Sequence, residues 1–159
     1  ALDRLLLVVA ADPWQKRGAV EASAEDRFAM VEAACDGVEG LEASRLEIDR
    51  GGPTYTADTL AALTRPGREI FLVLGADAAA GLDSWARVDE VRARATLAVV
   101  GRDGAYPPPG GAIAVAMPRL DVSATDLRRR IGAGEPVDFL VPAAALKILR
   151  TRRLYTAGR

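Results

Sequence analysis

The sequence contains no histidine. That removes the commonest general base and the commonest metal ligand. A zinc site and a Ser-His or Cys-His nucleophile pair are therefore excluded from these 159 residues. Cysteine is reduced to one, Cys35, which rules out an internal disulfide and fits a reducing, cytoplasmic setting. Cys35 sits in an apolar helical run and reads as a small core residue. No apolar run approaches the ~20 residues of a membrane span. The segment from Ala1 to Ala11 lacks the basic start of a signal peptide and reads as a strand. Charge of one sign is also scarce, since 21 Lys and Arg face 22 Asp and Glu for a net −1. Such a balance gives no pull toward nucleic acid or a membrane surface. The tail arginines Arg150, Arg152, Arg153 and Arg159 suit a solvated helix end.

What is present fits one packed domain over residues 1–159, half of them hydrophobic. Arg4 to Ala10, Glu69 to Leu74 and Thr96 to Val100 are almost wholly apolar and read as strands buried on both faces. Leu41 to Ile48 alternates loosely, and Ile113 to Met117 completes the strands. Helices are expected from Ser23 to Gly37, over Thr56 to Leu63, within Asp83 to Arg94, and over Ser123 to Ile131 and Pro142 to Arg150. Strands alternating with helices imply an α/β fold, a doubly wound parallel sheet. Ligands of such sheets bind beyond the carboxyl ends of the strands. That draws attention to the loops 11–18, 49–56, 75–85, 101–111 and 118–128.

The last of these loops runs into Val122-Ser123-Ala124-Thr125-Asp126-Leu127-Arg128. Two hydroxyls open a helix, and Arg128 lies three residues after Thr125, on nearly the same face. Free N–H groups and the dipole at a helix start attract anions, and arginine can fork onto phosphate oxygens. The plainer reading is a capping box, with Ser123 as N-cap and Asp126 three residues on.

Four of the five loops resemble one family. Gly52-Pro53-Thr54-Tyr55-Thr56-Ala57-Asp58-Thr59-Leu60 is similar to the P-[ST]-Y-T-x-x-T-L motif of bacterial nicotinate-nucleotide adenylyltransferases. Leu74-Gly75-Ala76-Asp77 followed by Ser84-Trp85 resembles their GxD…W segment, and Ser123-Ala124-Thr125 with Arg128 resembles their S-[SA]-T-x-x-R motif. Pro13-Trp14-Gln15-Lys16, the pair Arg27 and Met30, and the ending Arg153-Leu154-Tyr155 follow the same family order.

The resemblance implies a Rossmann-like sheet of the nucleotidyltransferase type and transfer of AMP from ATP to nicotinate mononucleotide, giving deamido-NAD and pyrophosphate. It implies that Trp85 stacks on the pyridine ring and that amides near Thr56 and Ala57 hold the nicotinate carboxylate, in a pocket shaped by Tyr55 and Thr56. It places Lys16 on a phosphate. Gly75, Asp77 and Arg102 fall on the nucleotide side, and Ser123, Thr125 and Arg128 grip the triphosphate, with Arg128 as the catalytic group. Mg²⁺ is expected with the triphosphate, and assembly into a homo-oligomer is compatible. Each residue also has a plainer reading. Trp85 would be a core aromatic, Thr56 a helix cap, Gly75 and Gly101 strand-end turns, Asp77 a first-turn acid, and Lys16 and Arg102 surface charges.

One departure is large. The family begins with a strand, a turn carrying FDPxH, and HxGH at the start of its first helix, and this chain opens at what resembles the second strand. The expectation is that one βα unit is missing from the chain, leaving a fragment inactive by itself. That unit's strand is central in a 3-2-1-4-5 order, and its absence leaves apolar strand edges unpaired. A variant that binds nucleotides without turning them over is the non-enzyme alternative, and a sibling enzyme acting on pantetheine phosphate is the enzymatic one. Ala10 is a smaller departure, where the family prefers a polar residue.

Overall fold

The computed structural model describes residues 2–12, 22–102, 111–118 and 120–156. Among the described residues five strands and seven α-helices are interspersed along the chain, and every strand pairing is parallel. The chain forms two compact units, residues 1–54 with 122–159, and residues 55–121.

In the first unit, β1 (Leu5–Val8) pairs with β2 (Leu41–Ser44), Leu5 opposite Leu41 and Val8 opposite Ser44. The crossover between them is α1 (Ala24–Cys35), capped by Ser23, whose hydroxyl accepts from the Asp26 N–H at 3.0 Å. Phe28 and Cys35 are the buried positions of α1, so Cys35 packs as expected. Arg27, one turn into α1, donates to the carbonyls of Ala10 at 2.7 Å and Ala11 at 3.0 Å. It thereby ties the end of β1 to the helix. The remaining helices of this unit are α2 (Leu46–Arg50), α6 (Ala124–Gly132) and α7 (Ala143–Thr151). Val137, Leu146 and Leu149 form its core, with Met30, Leu127, Ile131, Leu154 and Tyr155 packed against them.

Two sequence expectations fail in this unit. Leu41 to Ile48 is a strand only as far as Ser44, and Leu46–Arg50 turns helical. Arg45 explains the break. It makes two hydrogen bonds of 2.8 Å to the Glu25 carboxylate and lies 4.8 Å from the Phe28 ring, both on α1, while also pairing with Asp49 one turn ahead. Gly51, at φ 68, closes the short helix in the left-handed region that glycine enters freely. The second failure is β1, whose residues alternate between exposed and half-buried. It has one covered face rather than two.

In the second unit, β3 (Phe71–Gly75), β4 (Thr96–Arg102) and β5 (Ile113–Met117) form one parallel sheet with β4 in the middle. Leu72 pairs with Leu97 and Leu74 with Val99. These residues share a face with Ala114, and α4 (Ala76–Ala80) and the 3-10 turn Leu82–Ser84 pack against that face through Ala79 and Leu82. Only the central strand is buried along its middle, at Leu97, Ala98 and Val99. The opposite face carries Phe71, Val73, Ile113, Val115 and Met117, all exposed, so β3 also falls short of burial on both faces. A second small core joins α3 (Thr56–Leu63) to α5 (Val88–Arg94), where Ala57 and Val91 are completely buried.

The strands therefore lie in two sheets, β1-β2 and β3-β4-β5. Among the described residues no helix is long and apolar enough to cross a membrane.

Candidate active site

The carboxyl ends of β3, β4 and β5 open on one edge of the three-stranded sheet. Gly75 ends β3 and is the N-cap of α4, at an ordinary φ of −69. Conformation therefore does not demand glycine there. A Cβ built on Gly75 meets nothing within 4 Å, and the same holds at Gly101 near the end of β4. Both glycines keep space open at the strand ends. Asp77 follows on α4, exposed, and its carbonyl accepts from the Gly81 N–H at 3.3 Å. Arg102 is the last residue of β4, in register with Met117.

The start of α3 belongs to the same unit. The cap is Tyr55 rather than Thr56. Its backbone is extended and its side chain makes no capping hydrogen bond. The Tyr55 carbonyl accepts from Asp58 at 3.0 Å and Thr59 at 3.3 Å, the ordinary first bonds of a helix. Tyrosine is not a capping side chain, so the half-buried Thr56 amide points out of the helix start without one to receive it, whereas the Ala57 amide is closed off with the rest of that residue. A helix N-terminus in this condition favours an anion. Ala57 is fully buried and anchors the turn on α5, while Tyr55 is 39% exposed.

Trp85 ends the 3-10 turn, and its N–H donates to the Leu82 carbonyl at 2.9 Å. The indole packs against Leu74, Ala79, Leu82, Leu97 and Val99, half-buried. Trp85 is thus in part the core aromatic of the plainer reading, although the residue as a whole is only half-buried.

The residue that sequence reasoning missed is Arg87. It caps α5 in the left-handed conformation, φ 57 and ψ 42, uncommon for a residue with a side chain. Its guanidinium pairs with Asp58 at 2.7 Å and lies 5.6 Å from the centre of the Tyr55 ring. The Asp58 carboxylate raises the Arg87 pKa above its ordinary value. The structure therefore joins Tyr55, Asp58 and Arg87 at the start of α3, with Trp85 two residues from Arg87. Only the neighbourhood of Trp85 in sequence could have pointed to Arg87.

The other expected site residues lie on α6 of the first unit. Ser123 is the N-cap, and its hydroxyl accepts from the Asp126 N–H at 3.1 Å. The capping reading is therefore correct for Ser123, although a serine hydroxyl that accepts can still donate. Thr125 and Arg128 do share a face, since the Arg128 Nη2 donates to the Thr125 hydroxyl at 3.5 Å. Asp126 faces the other way, held by Arg129 at 3.0 Å and Arg130 at 2.7 Å. These two guanidinium groups hold its carboxyl below the usual range, Arg130 contributing most. Arg128 meets a hydroxyl and a ring instead, lying 6.0 Å from the centre of Tyr155. Lys16, with the rest of its loop, lies outside the described residues. Among the described residues no group of three His, Cys, Asp or Glu side chains could hold a metal ion.

The cytidylyltransferase-like family profile matches residues 1–130. A protein of Streptomyces coelicolor, described as a probable nicotinate-nucleotide adenylyltransferase, is 38% identical over 97% of this chain and 86% of its own. One of the same description from Saccharopolyspora erythraea is 39% identical over 97% of this chain and 76% of its own. Among solved structures, the nicotinic acid mononucleotide adenylyltransferase of Plasmodium falciparum, complexed with NaAD, shares the fold with a TM-score of 0.76. It is 13% identical, covering 97% of this chain and 83% of that one. The protein therefore belongs to the cytidylyltransferase-like family of nucleotidyltransferases, among the nicotinate-nucleotide adenylyltransferases of NAD biosynthesis.

Proposed function

We propose that the protein transfers AMP from ATP to nicotinate mononucleotide, releasing pyrophosphate and deamido-NAD. The observation that carries the substrate is the start of α3. Its cap residue makes no side-chain capping hydrogen bond, which leaves the Thr56 amide for a carboxylate. A nicotinate carboxylate satisfies it, and the neutral carboxamide of nicotinamide gains less from the same dipole. Tyr55 closes one side of the pocket, and the half-buried Trp85 supplies a ring on which a pyridine can stack.

On this reading the open space at Gly75 and Gly101 admits the nucleotide against the strand ends, with Asp77 and Arg102 on that edge for its polar groups. The reaction itself is a displacement. An oxygen of the mononucleotide phosphate bonds to the α-phosphorus of ATP, and the bond to pyrophosphate breaks. No covalent enzyme intermediate is needed, so positioning and charge stabilisation carry the rate. Thr125, Ser123 and the guanidinium of Arg128 are the donors offered to the triphosphate, with Arg128 meeting the charge that grows on the leaving pyrophosphate. Lys16 adds a cation to a phosphate. The described side chains form no cage for Mg²⁺. The ion belongs in this proposal as one that arrives on the triphosphate, where it neutralises phosphate charge.

The test is substrate discrimination in the full-length protein. Nicotinate mononucleotide should exceed nicotinamide mononucleotide in kcat/KM by more than about tenfold, or ~1.4 kcal/mol. Equal values would remove the pocket at α3.

A further inference from the structure

Arg87 holds together two segments that local sequence does not connect. One is the turn that carries Trp85. The other is the first turn of α3, which carries Tyr55 and the Thr56 amide. We propose that Arg87 is a positioning residue of the mononucleotide pocket, a clasp that fixes the Trp85 turn to the start of α3 through Asp58 and Tyr55. This rests on the pocket proposed above.

Three observations carry it. The ion pair to Asp58 is 2.7 Å long, and Asp58 lies on the first turn of α3, one residue after Ala57. The same guanidinium stacks 5.6 Å from the Tyr55 ring centre, so one side chain orients both residues flanking the Thr56 and Ala57 amides. Finally, Arg87 reaches them from a left-handed backbone, φ 57. A residue with a Cβ is held there at a cost, which persists where the surroundings over-determine it. Asparagine or glycine would occupy this backbone more easily. Neither could span to Asp58 and cover Tyr55 at once. A planar, forked cation does both.

The clasp gives Arg87 a role distinct from simple stability. Without it the Trp85 turn and the α3 start remain folded on their own cores, Trp85 on Leu82 and Leu97, Ala57 on Val91. What changes is their spacing, which a stacked ring and a bound carboxylate must satisfy together.

The test titrates nicotinate mononucleotide and, separately, ATP into the full chain by calorimetry, alongside thermal unfolding. The decisive variant is Arg87→Gly, because glycine accepts the left-handed backbone and so leaves the fold intact. The proposal expects Arg87→Gly to weaken nicotinate mononucleotide by about threefold or more, with ATP binding and the unfolding midpoint close to the parent. Asp58→Asn should weaken it in the same direction. The double variant should be no worse than Arg87→Gly, since both remove one clasp. Arg87→Lys should recover part of the loss. An Arg87→Gly variant with parental mononucleotide affinity, or one that weakens ATP equally, overturns the clasp. Trp85→Ala separates the two levels of the argument. If it weakens the mononucleotide while Arg87→Gly does not, only the clasp fails. If Trp85→Ala leaves mononucleotide affinity unchanged, the pocket fails and the clasp with it.

Discussion

Trp85 illustrates how one side chain serves two purposes. It packs against the core of the three-stranded unit, with Leu74, Leu82 and Val99, and stays only half-buried. Trp85→Ala should therefore do two things. It should raise KM for the mononucleotide several-fold, since aromatic stacking on a base contributes ~1–3 kcal/mol, and leave KM for ATP nearly unchanged. It should also lower the unfolding midpoint. A variant that loses stability yet keeps its KM for the mononucleotide would make Trp85 a core residue alone. Arg128 is the counterpart on α6. Its neighbours Arg129 and Arg130 are engaged by Asp126, whereas Arg128 meets Thr125 and Tyr155. In the full-length protein Arg128→Ala should cut kcat/KM for ATP by about 10²-fold, the size of one lost transition-state donor. Arg128→Lys should restore part of that, because lysine keeps the charge and loses the fork. Unchanged ATP kinetics in Arg128→Ala would leave α6 an ordinary capped helix.

Among the elements, α6 was the most legible from sequence. Its cap, its acidic first turn and the shared face of Thr125 and Arg128 are all local features, set by side chains within four residues. The same locality makes its behaviour in acid predictable. Asp126 has its folded pKa lowered from an ordinary value of 3.8 by Arg130 and Arg129. A depressed carboxyl stabilises the fold above its unfolded pKa, and that contribution disappears as pH falls through the lower, folded value. Asp126→Asn should therefore unfold at a lower temperature than the parent at neutral pH, and the gap should close as pH falls below the ordinary value of 3.8. A gap of constant size from neutral to acid would show that Asp126 acts through something other than its charge. The segment Leu41 to Ile48 was illegible for the opposite reason. Its pattern suits a strand throughout, yet Arg45 is drawn onto Glu25 and Phe28 of α1. Those partners lie far away in sequence, so the turn into α2 had no local sign. Arg87 escaped notice on the same ground, since Asp58 and Tyr55 are distant in sequence and a lone arginine in a turn reads as a surface charge.

For the protein as an assembled chain, the alternation of strands and helices was enough to give an α/β fold with parallel pairing throughout. Burial was harder to read. An apolar strand was expected to be covered twice, but β1 and β3 each sit at the edge of their sheet with one side open. Apolar composition records the face a strand is built to bury, not how many neighbours it has.

The measurement that bears most directly on the proposed reaction is product identification in the full-length protein. It supplies ATP with nicotinate mononucleotide and, in parallel, ATP with pantetheine phosphate or CTP with nicotinate mononucleotide. Deamido-NAD and pyrophosphate should appear in equal amounts from the first mixture, with little product from the others. Comparable or greater turnover of pantetheine phosphate, or no deamido-NAD from the first mixture, would contradict the assignment.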